Sequence, residues 1–436
     1  MMGLGSAIGA GLFLGSGQGL AAAGPAVLIS YLAAGTLIIL VMWALGEMAA
    51  ANPNSGAFSV YAQKAMGPVA GSTVGWLWWL QLVVVIAAEA IGAAALLVSI
   101  WPVIPAWALT LLFMAVFTAI NLTSVKNYGE FEFWFALLKV AAIVLFLVFG
   151  ALLLLGWVPG AASPGLGNLV NHGGFAPHGL AGIATGLFVV VFAFGGTEIV
   201  AVAAAETENP QRSVAVAVRT VVWRILVFYI GSILVIALVI PWNSAELDSP
   251  FAAVLNSAGI QWAGTAITLV AVAALLSALN ANLYGASRMI YSLSERGEAP
   301  RLFASTTRRQ VPLAAVGISV SFGFVAAILE LLFPGQVLKA LLNLVGSTCL
   351  VVWGIALVSQ LILRRRADRD GTVLPLRMKG FPALTIFALL LLGGIFAVGF
   401  SGAESRAQLF GTFSLVAGIA VVCGIAQRVQ RRRAIR

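Results

Sequence analysis

A run near the start of the chain, Gly5-Ser6-Ala7-Ile8-Gly9-Ala10-Gly11, sets glycines inside an apolar stretch, and Phe194-Gly195-Gly196-Thr197 does the same farther on. Glycine weakens a helix by about 1 kcal/mol relative to alanine, and in lipid the backbone groups freed by a break have no water to bond. Irregular backbone at that depth is tolerated only inside protein or beside a cavity, where a half-helix N-terminus can hold a carboxylate and freed carbonyls an ammonium. A zwitterion fits such a place. The same glycines, with Gly15, could instead serve close helix packing of the small-xxx-small kind. Placement favours the cavity. The breaks fall in the first and sixth apolar spans, equivalent members of two five-helix halves, the pattern of an inverted repeat that builds a midplane site. No repeat is visible residue by residue, so this rests on hydropathy.

Four ionisable residues lie within or at the edge of apolar spans: Glu47, Glu89, Lys139 and Glu198. The more expensive charges cost about 2.5–3.5 kcal/mol to insert and usually face a cavity or a partner. Glu47 is near the end of its span, where snorkelling to the interface is expected. Glu89 and Glu198 have no such outlet. Glu198 follows the second break directly, so it reads either as a group that meets substrate or carries a proton, or as a structural bond to freed backbone. Lys139 reads either as a desolvated amine able to load and release protons or as a snorkelling side chain.

The elements that must position these groups follow from composition. Of 436 residues, 61% are hydrophobic and 9% charged, with mean hydropathy +1.04, more apolar surface than a water-soluble domain can hide. Runs near the ~20 residues that cross a hydrocarbon core favour helices over barrel strands. Spans are expected near 2–23, 25–50, 69–100, 105–122, 134–157, 179–205, 214–241, 260–291, 312–333, 337–363, 381–401 and 406–427. This is an all-α integral membrane fold of twelve spans in one continuous domain, 1–436. With both ends in the cytoplasm, all of the 24 Lys and Arg except Lys339 and Arg406 fall inside, a positive-inside pattern that one miscounted span would reverse. The net charge of +9 therefore reflects topology rather than nucleic-acid binding.

The first span starts at Met1 or Met2 with no basic flank. It lacks the charged n-region of a signal peptide, so a missing or misassigned cytosolic stretch is expected instead. Cys349 and Cys423 lie in apolar runs and indicate no disulfide. His172 and His178 flank a Gly-rich loop without further ligands, so no metal site and no cofactor are expected. Trp76, Trp78 and Trp79 read as an interfacial belt, and Arg364-Arg365-Arg366 and Arg431-Arg432-Arg433 as topology determinants with anionic lipid contact secondary.

Several longer motifs resemble the amino acid transporter family of the amino acid, polyamine and organocation superfamily. They are GSAIGAGLFLGSG (Gly5 to Gly17), AGPAV (Ala23 to Val27), GEMAAANPNSGAFSVY (Gly46 to Tyr61), YGEFEFWFALLKV (Tyr128 to Val140), FAFGGTEIVAVAAAETENP (Phe192 to Pro210) and ASRMIYSLSERGEAP (Ala286 to Pro300). Within it the chain looks most like GABA permeases, through NYGEFEFW (Asn127 to Trp134), TEIV (Thr197 to Val200) ahead of AAAE (Ala203 to Glu206), and IPWN (Ile240 to Asn243).

The resemblance implies a LeuT-like five-plus-five inverted repeat with discontinuous helices 1 and 6. The halves would be 1–157 and 179–363, with two extra helices in 381–427 and a basic cytosolic tail, 428–436. It implies alternating access in a bacterial cytoplasmic membrane and import driven by protons rather than sodium. By motif position, the carbonyls of Ala7 and Ile8 and the amides of Ala10 and Gly11, around Gly9, would line the zwitterion site. Phe192 would be an aromatic gate, and the backbone of Ala193, Phe194, Gly195 and Gly196 would receive the amino group beside Thr197 and Glu198. Glu89 is counted with the substrate-binding residues. Lys139 takes the position occupied by a cation in sodium-coupled relatives and, with Glu198, would couple protons.

Many relatives have threonine where this chain has Ala10, which leaves substrate identity open. GABA or a similar small zwitterion is expected first, and proline or an aromatic amino acid second. The expected partners are an amino acid, protons and the bilayer, with no nucleic acid and with oligomeric state open. A passive channel is the competing class. No metal cluster, nucleophile constellation or phosphate loop supports an enzyme.

Overall fold

Long apolar runs that cannot bond to water must satisfy their backbone internally, and helix does so within each segment. The computed structural model describes residues 8–54, 56–123, 128–197, 210–307 and 311–434, and among them the chain is helical without a strand. The helices are α1 (Ala10–Phe13), α2 (Gly15–Ala23), α3 (Val27–Ala51), α4 (Ala57–Met66), α5 (Pro68–Ile100), α6 (Ala106–Thr123), α7 (Tyr128–Leu154) and α8 (Gly179–Phe194). The second part continues with α9 (Pro210–Arg224), α10 (Gly231–Val239), α11 (Pro250–Ser257), α12 (Gln261–Glu295), α13 (Leu313–Leu332), α14 (Val337–Arg369), α15 (Ala383–Gly399) and α16 (Ala403–Ala434). Among the described residues, seven helical runs are long and apolar enough to cross a bilayer, and shorter apolar helices lie at Ala106–Leu122, Gly179–Phe194, Val227–Val239 and Ala383–Gly399.

Most expected spans coincide with a helix to within a few residues. The run 25–50 is α3, 69–100 is α5, 260–291 is α12 and 337–363 is α14, which extends to Arg369. The span expected over 214–241 is less regular, because α9 passes into α10 through a π-helical segment, Ile225–Ile230. Two helices were not foreseen. α4 and α11 are short connectors of 10 and 8 residues, below the length at which an apolar run declares itself. Phe58, Tyr61 and Ala62 nevertheless seat α4 in the core, and Phe251 and Val254 do so for α11.

The outer surface is that of a protein in lipid. Leu145 is 68% exposed, Leu390 70% and Phe410 60%, on α7, α15 and α16, and only 17% of the apolar window of α16 is buried. Apolar exposure on that scale demands an apolar solvent. Inside, α5 and α12 form the most extensive helix pair, and α14 packs on α8, α5 and α3. Small residues set the closest crossings: a Cβ on Gly346 of α14 would collide with the carbonyl oxygen of Phe188 on α8.

Glu47 departs from expectation. Rather than snorkelling, it is 2% exposed. Its Oε2 accepts from Arg364 Nη1 at 2.7 Å and from the Met378 backbone N–H at 2.6 Å, while its Oε1 accepts from Gln360 Nε2 at 2.9 Å. Arg364 also donates through Nε to both carboxylate oxygens of Asp368 at 3.1 Å, and its guanidinium lies over the Phe381 ring, 5.2 Å from the centroid. Thr385 Oγ1 donates to Gln360 Oε1 at 2.9 Å. One carboxylate thus ties α3 to α14 and to the loop before α15. Removing one partner of a buried pair leaves an uncompensated charge, at a cost of about 3–5 kcal/mol. Glu47→Ala should accordingly lower the melting temperature of the protein in detergent, and Arg364→Ala added to it should cost much less than Arg364→Ala alone; an unchanged melting curve for Glu47→Ala would refute the assignment.

Candidate functional site

Both glycine breaks appear as interruptions of helix. At the first, Gly9 (φ −149°, ψ −144°) is non-helical, and α1 begins at Ala10 with no side-chain cap of its own. At the second, α8 ends at Phe194; Gly195 turns to an extended conformation (φ −58°, ψ 143°) and Gly196 takes φ +88°, a left-handed angle that glycine adopts without strain. The Thr197 hydroxyl and amide fold back to the Phe194 carbonyl, at 2.8 and 3.3 Å. The two breaks meet. A Cβ on Gly11 would strike the Cα of Ala193, so only glycine allows the start of α1 to cross the end of α8 this closely.

The free amide at the start of α1 is taken by Glu89, from the middle of α5. The Ala10 N–H donates to Glu89 Oε2 at 2.9 Å and Oε1 at 3.1 Å, in a position 4% exposed. A negative group at a helix N-terminus is favourable both by the hydrogen bond and by the helix dipole. Gly9 makes room for it, since a Cβ there would run into the Glu89 carboxylate. Glu89 therefore occupies the amide that the resemblance assigned to a ligand's carboxylate.

A cavity lies between the breaks and the facing helices. Gly9, Gly11, Phe192, Ala193, Gly195 and Gly196 line one side together with Glu89. Ile8, Ala10, Phe194 and Thr197 belong to the same segments but do not line it. Phe194 turns instead into an aromatic group, edge-on to Tyr31 (5.8 Å between centroids) and tilted on Tyr229 (5.0 Å). Ala7 and Glu198 lie outside the described residues.

Lys139 also stands outside the cavity wall, but it does not snorkel. It is 1% exposed, donates from Nζ to Ser277 Oγ of α12 at 3.1 Å, and acts electrostatically on Glu89. Among the described residues no group of three or more His, Cys, Asp or Glu is arranged to hold a metal ion.

The far wall escaped the reading of the sequence. Trp78, Gln81, Leu82 and Val85 from α5, Asn282 from α12, and Val345 and Cys349 from α14 complete the cavity, so Trp78, expected in an interfacial belt, is instead a buried wall residue. Gln81 is 5% exposed and its Nε2 has no hydrogen-bond partner, leaving a buried donor at the cavity. Asn282 is held by its own helix, donating from Nδ2 to the Ala278 carbonyl at 2.8 Å. The sequence carries a signal for it, an uncharged amide in the apolar run Leu80-Gln81-Leu82.

The arrangement sets a carboxylate on one helix start, the end of a second helix beside it, a buried amide donor opposite and apolar walls between. Comparison with known proteins points the same way. The family model described as amino acid permease matches residues 1–430. An aromatic amino acid transport protein, AroP, of Corynebacterium glutamicum is 44% identical over 427 residues, covering 97% of this chain and 92% of the relative. A gamma-aminobutyric acid permease of Bacillus subtilis is 44% identical over 397 residues, covering 91% and 85%, and one of Escherichia coli is 39% identical over 430 residues, covering 98% and 92%. The chain belongs to the amino acid permease family.

Proposed function

We propose that the chain is a proton-coupled importer of small zwitterionic amino acids, GABA or a compound of similar size first. Amino acid transport itself follows from family membership, as does a place among transporters rather than enzymes. The finer reading rests on one observation: the start of α1 and the end of α8 converge on a single cavity that also holds a buried carboxylate. In this reading the chain has twelve spans, in a LeuT-like five-plus-five inverted repeat with two extra helices, and both ends face the cytoplasm of a bacterial cell. The hydropathy pattern and the distribution of Lys and Arg support it.

Substrate carboxylate and Glu89 then compete for the same positive helix end. Substrate arriving at the amides of Ala10 and Gly11 displaces Glu89 from Ala10, and the released carboxylate and the carbonyls beside Ala193 to Gly196 receive the ammonium. Lys139 is the proposed proton-loading group: it is buried, bonded to Ser277 and electrostatically linked to Glu89, so its charge biases which partner Glu89 keeps. Phe192 closes over the bound molecule before the helices rock to release it inward.

A second reading keeps the mechanism and changes the cargo. The wall formed by Trp78, Leu82, Val85 and Val345 is apolar enough to favour a neutral α-amino acid with an aromatic or proline side chain, and the relatives include an aromatic amino acid transport protein.

Purified protein in proteoliposomes, given labelled GABA, proline and phenylalanine without sodium, should accumulate one of them only when an inward proton gradient is imposed. Equilibration without accumulation would indicate a channel, and dependence on added sodium would overturn proton coupling. Gly9→Leu should abolish that uptake while inserting normally, because its side chain takes the space of the Glu89 carboxylate; uptake at the wild-type rate would sink the site. Lys139→Ala should leave substrate exchange between the two sides but remove accumulation driven by the gradient, and an unchanged dependence on pH would remove Lys139 from coupling.

A further inference from the structure

The seam between α5 and α16 is open along one side, and its chemistry is divided sharply from end to end. Trp76 and Trp79 of α5 face Leu415, Gly418 and Val422 of α16 across a furrow of about 480 Å³ that is almost wholly apolar. Neither indole offers it a donor. Trp76 Nε1 donates inward to the Glu298 carbonyl at 3.1 Å, and Trp79 Nε1 to Ser319 Oγ at 3.0 Å. The pair presents ring carbon to the furrow and polar edges to the protein.

At the end toward the C-terminus the seam changes character. Gly67, Pro68 and Val69 face Gly424, Gln427 and Arg428 across a second hollow of about 530 Å³. α5, 33 residues long, starts there behind Gly67 with Pro68 first and no side-chain cap, so the positive end of its dipole lies at this hollow. Arg428 is exposed and makes no ion pair among the described residues. Gln427 is engaged with Ser72 Oγ at 3.0 Å, which holds the two helices together at this point.

The seam runs from Pro68 to Leu80 on one helix and from Leu415 to Arg428 on the other, lengths of ~18 and ~20 Å at 1.5 Å per residue. That is close to the depth of one leaflet, half of a hydrocarbon core of ~30 Å plus part of its headgroup layer. Gly418 has nothing within 4 Å of a Cβ built on it, so no neighbour within the chain accounts for the small residue. We propose that this seam binds one anionic phospholipid, its phosphate between Arg428 and the start of α5 and an acyl chain in the furrow between Trp76, Trp79 and Gly418. A second copy of the chain fits less well. A twofold contact along α16 at this seam would bring Arg428 against its own image, whereas a phosphate neutralises it.

The test uses the full-length protein purified in detergent, depleted of lipid, and examined by native mass spectrometry after addition of phosphatidylglycerol or phosphatidylcholine. One phosphatidylglycerol should be retained about fivefold over phosphatidylcholine, the preference expected for one basic residue near a phosphate. Arg428→Gln should erase the preference and keep the binding. Gly418→Leu, whose side chain fills open space rather than the protein core, should melt like the wild type and lose both lipids at least fivefold. Equal retention of the two lipids by the wild type, or full retention by Gly418→Leu, would overturn the proposal. So would a dimer that Gly418→Leu dissolves, which would identify a second copy as the occupant.

Discussion

A peptide N–H that loses its helical partner inside a membrane has nowhere to turn except the protein, and the organisation of this molecule follows from how one such group is answered. The amide of Ala10, at the start of α1, is met by the Glu89 carboxylate from a helix far away in sequence. That single contact needs a glycine at position 9, because any side chain there would take the carboxylate's space, and it needs α5 to run beside the break along its middle. It also leaves a negative group and a positive helix end side by side in an apolar interior.

Two other buried charges among the described residues are likewise answered across helices. Glu47 reaches Arg364 and Gln360 on α14, and Lys139 reaches Ser277 on α12. Charges near span ends can escape to water along a flexible stem, but these are closed in by packing, at 2% and 1% exposure. The polar contacts therefore fix which helices are neighbours, while the glycines at 11 and 346 fix how closely they cross. Apolar packing alone supplies little of that specificity, since lipid tails are as apolar as leucine.

Much of this was legible in the residues because hydropathy is read in long windows. α5, α12 and α14 declare themselves by length, and the glycine runs mark where helix must stop. What stayed hidden depended on pairing across the chain. Nothing local to Glu47 distinguishes a snorkelling carboxylate from one that has Arg364, some 300 residues on, as its partner; nor does the start of α1 reveal that Glu89 will cap it. Gln81 and Asn282 are hidden for a different reason: an uncharged amide costs less to bury than a charge and can bond to its own helix, as Asn282 does, so its presence in a span does not by itself mark a cavity. Short helices such as α4 and α11 carry too few residues for periodicity to separate them from loop.

The loop ahead of α15 holds to the Glu47 carboxylate through the main-chain N–H of Met378 rather than through a side chain. Every amino acid but proline carries that donor, so the hydrogen bond itself lets the residue at 378 be exchanged for another that fits the core, where the Met378 side chain is buried. The carboxylate it grips cannot be exchanged in this way. Variation between related chains should therefore be asymmetric here, with exchange among apolar residues at 378 and stasis of the acid on α3, and a proline at position 378 should appear only where the acid has gone as well.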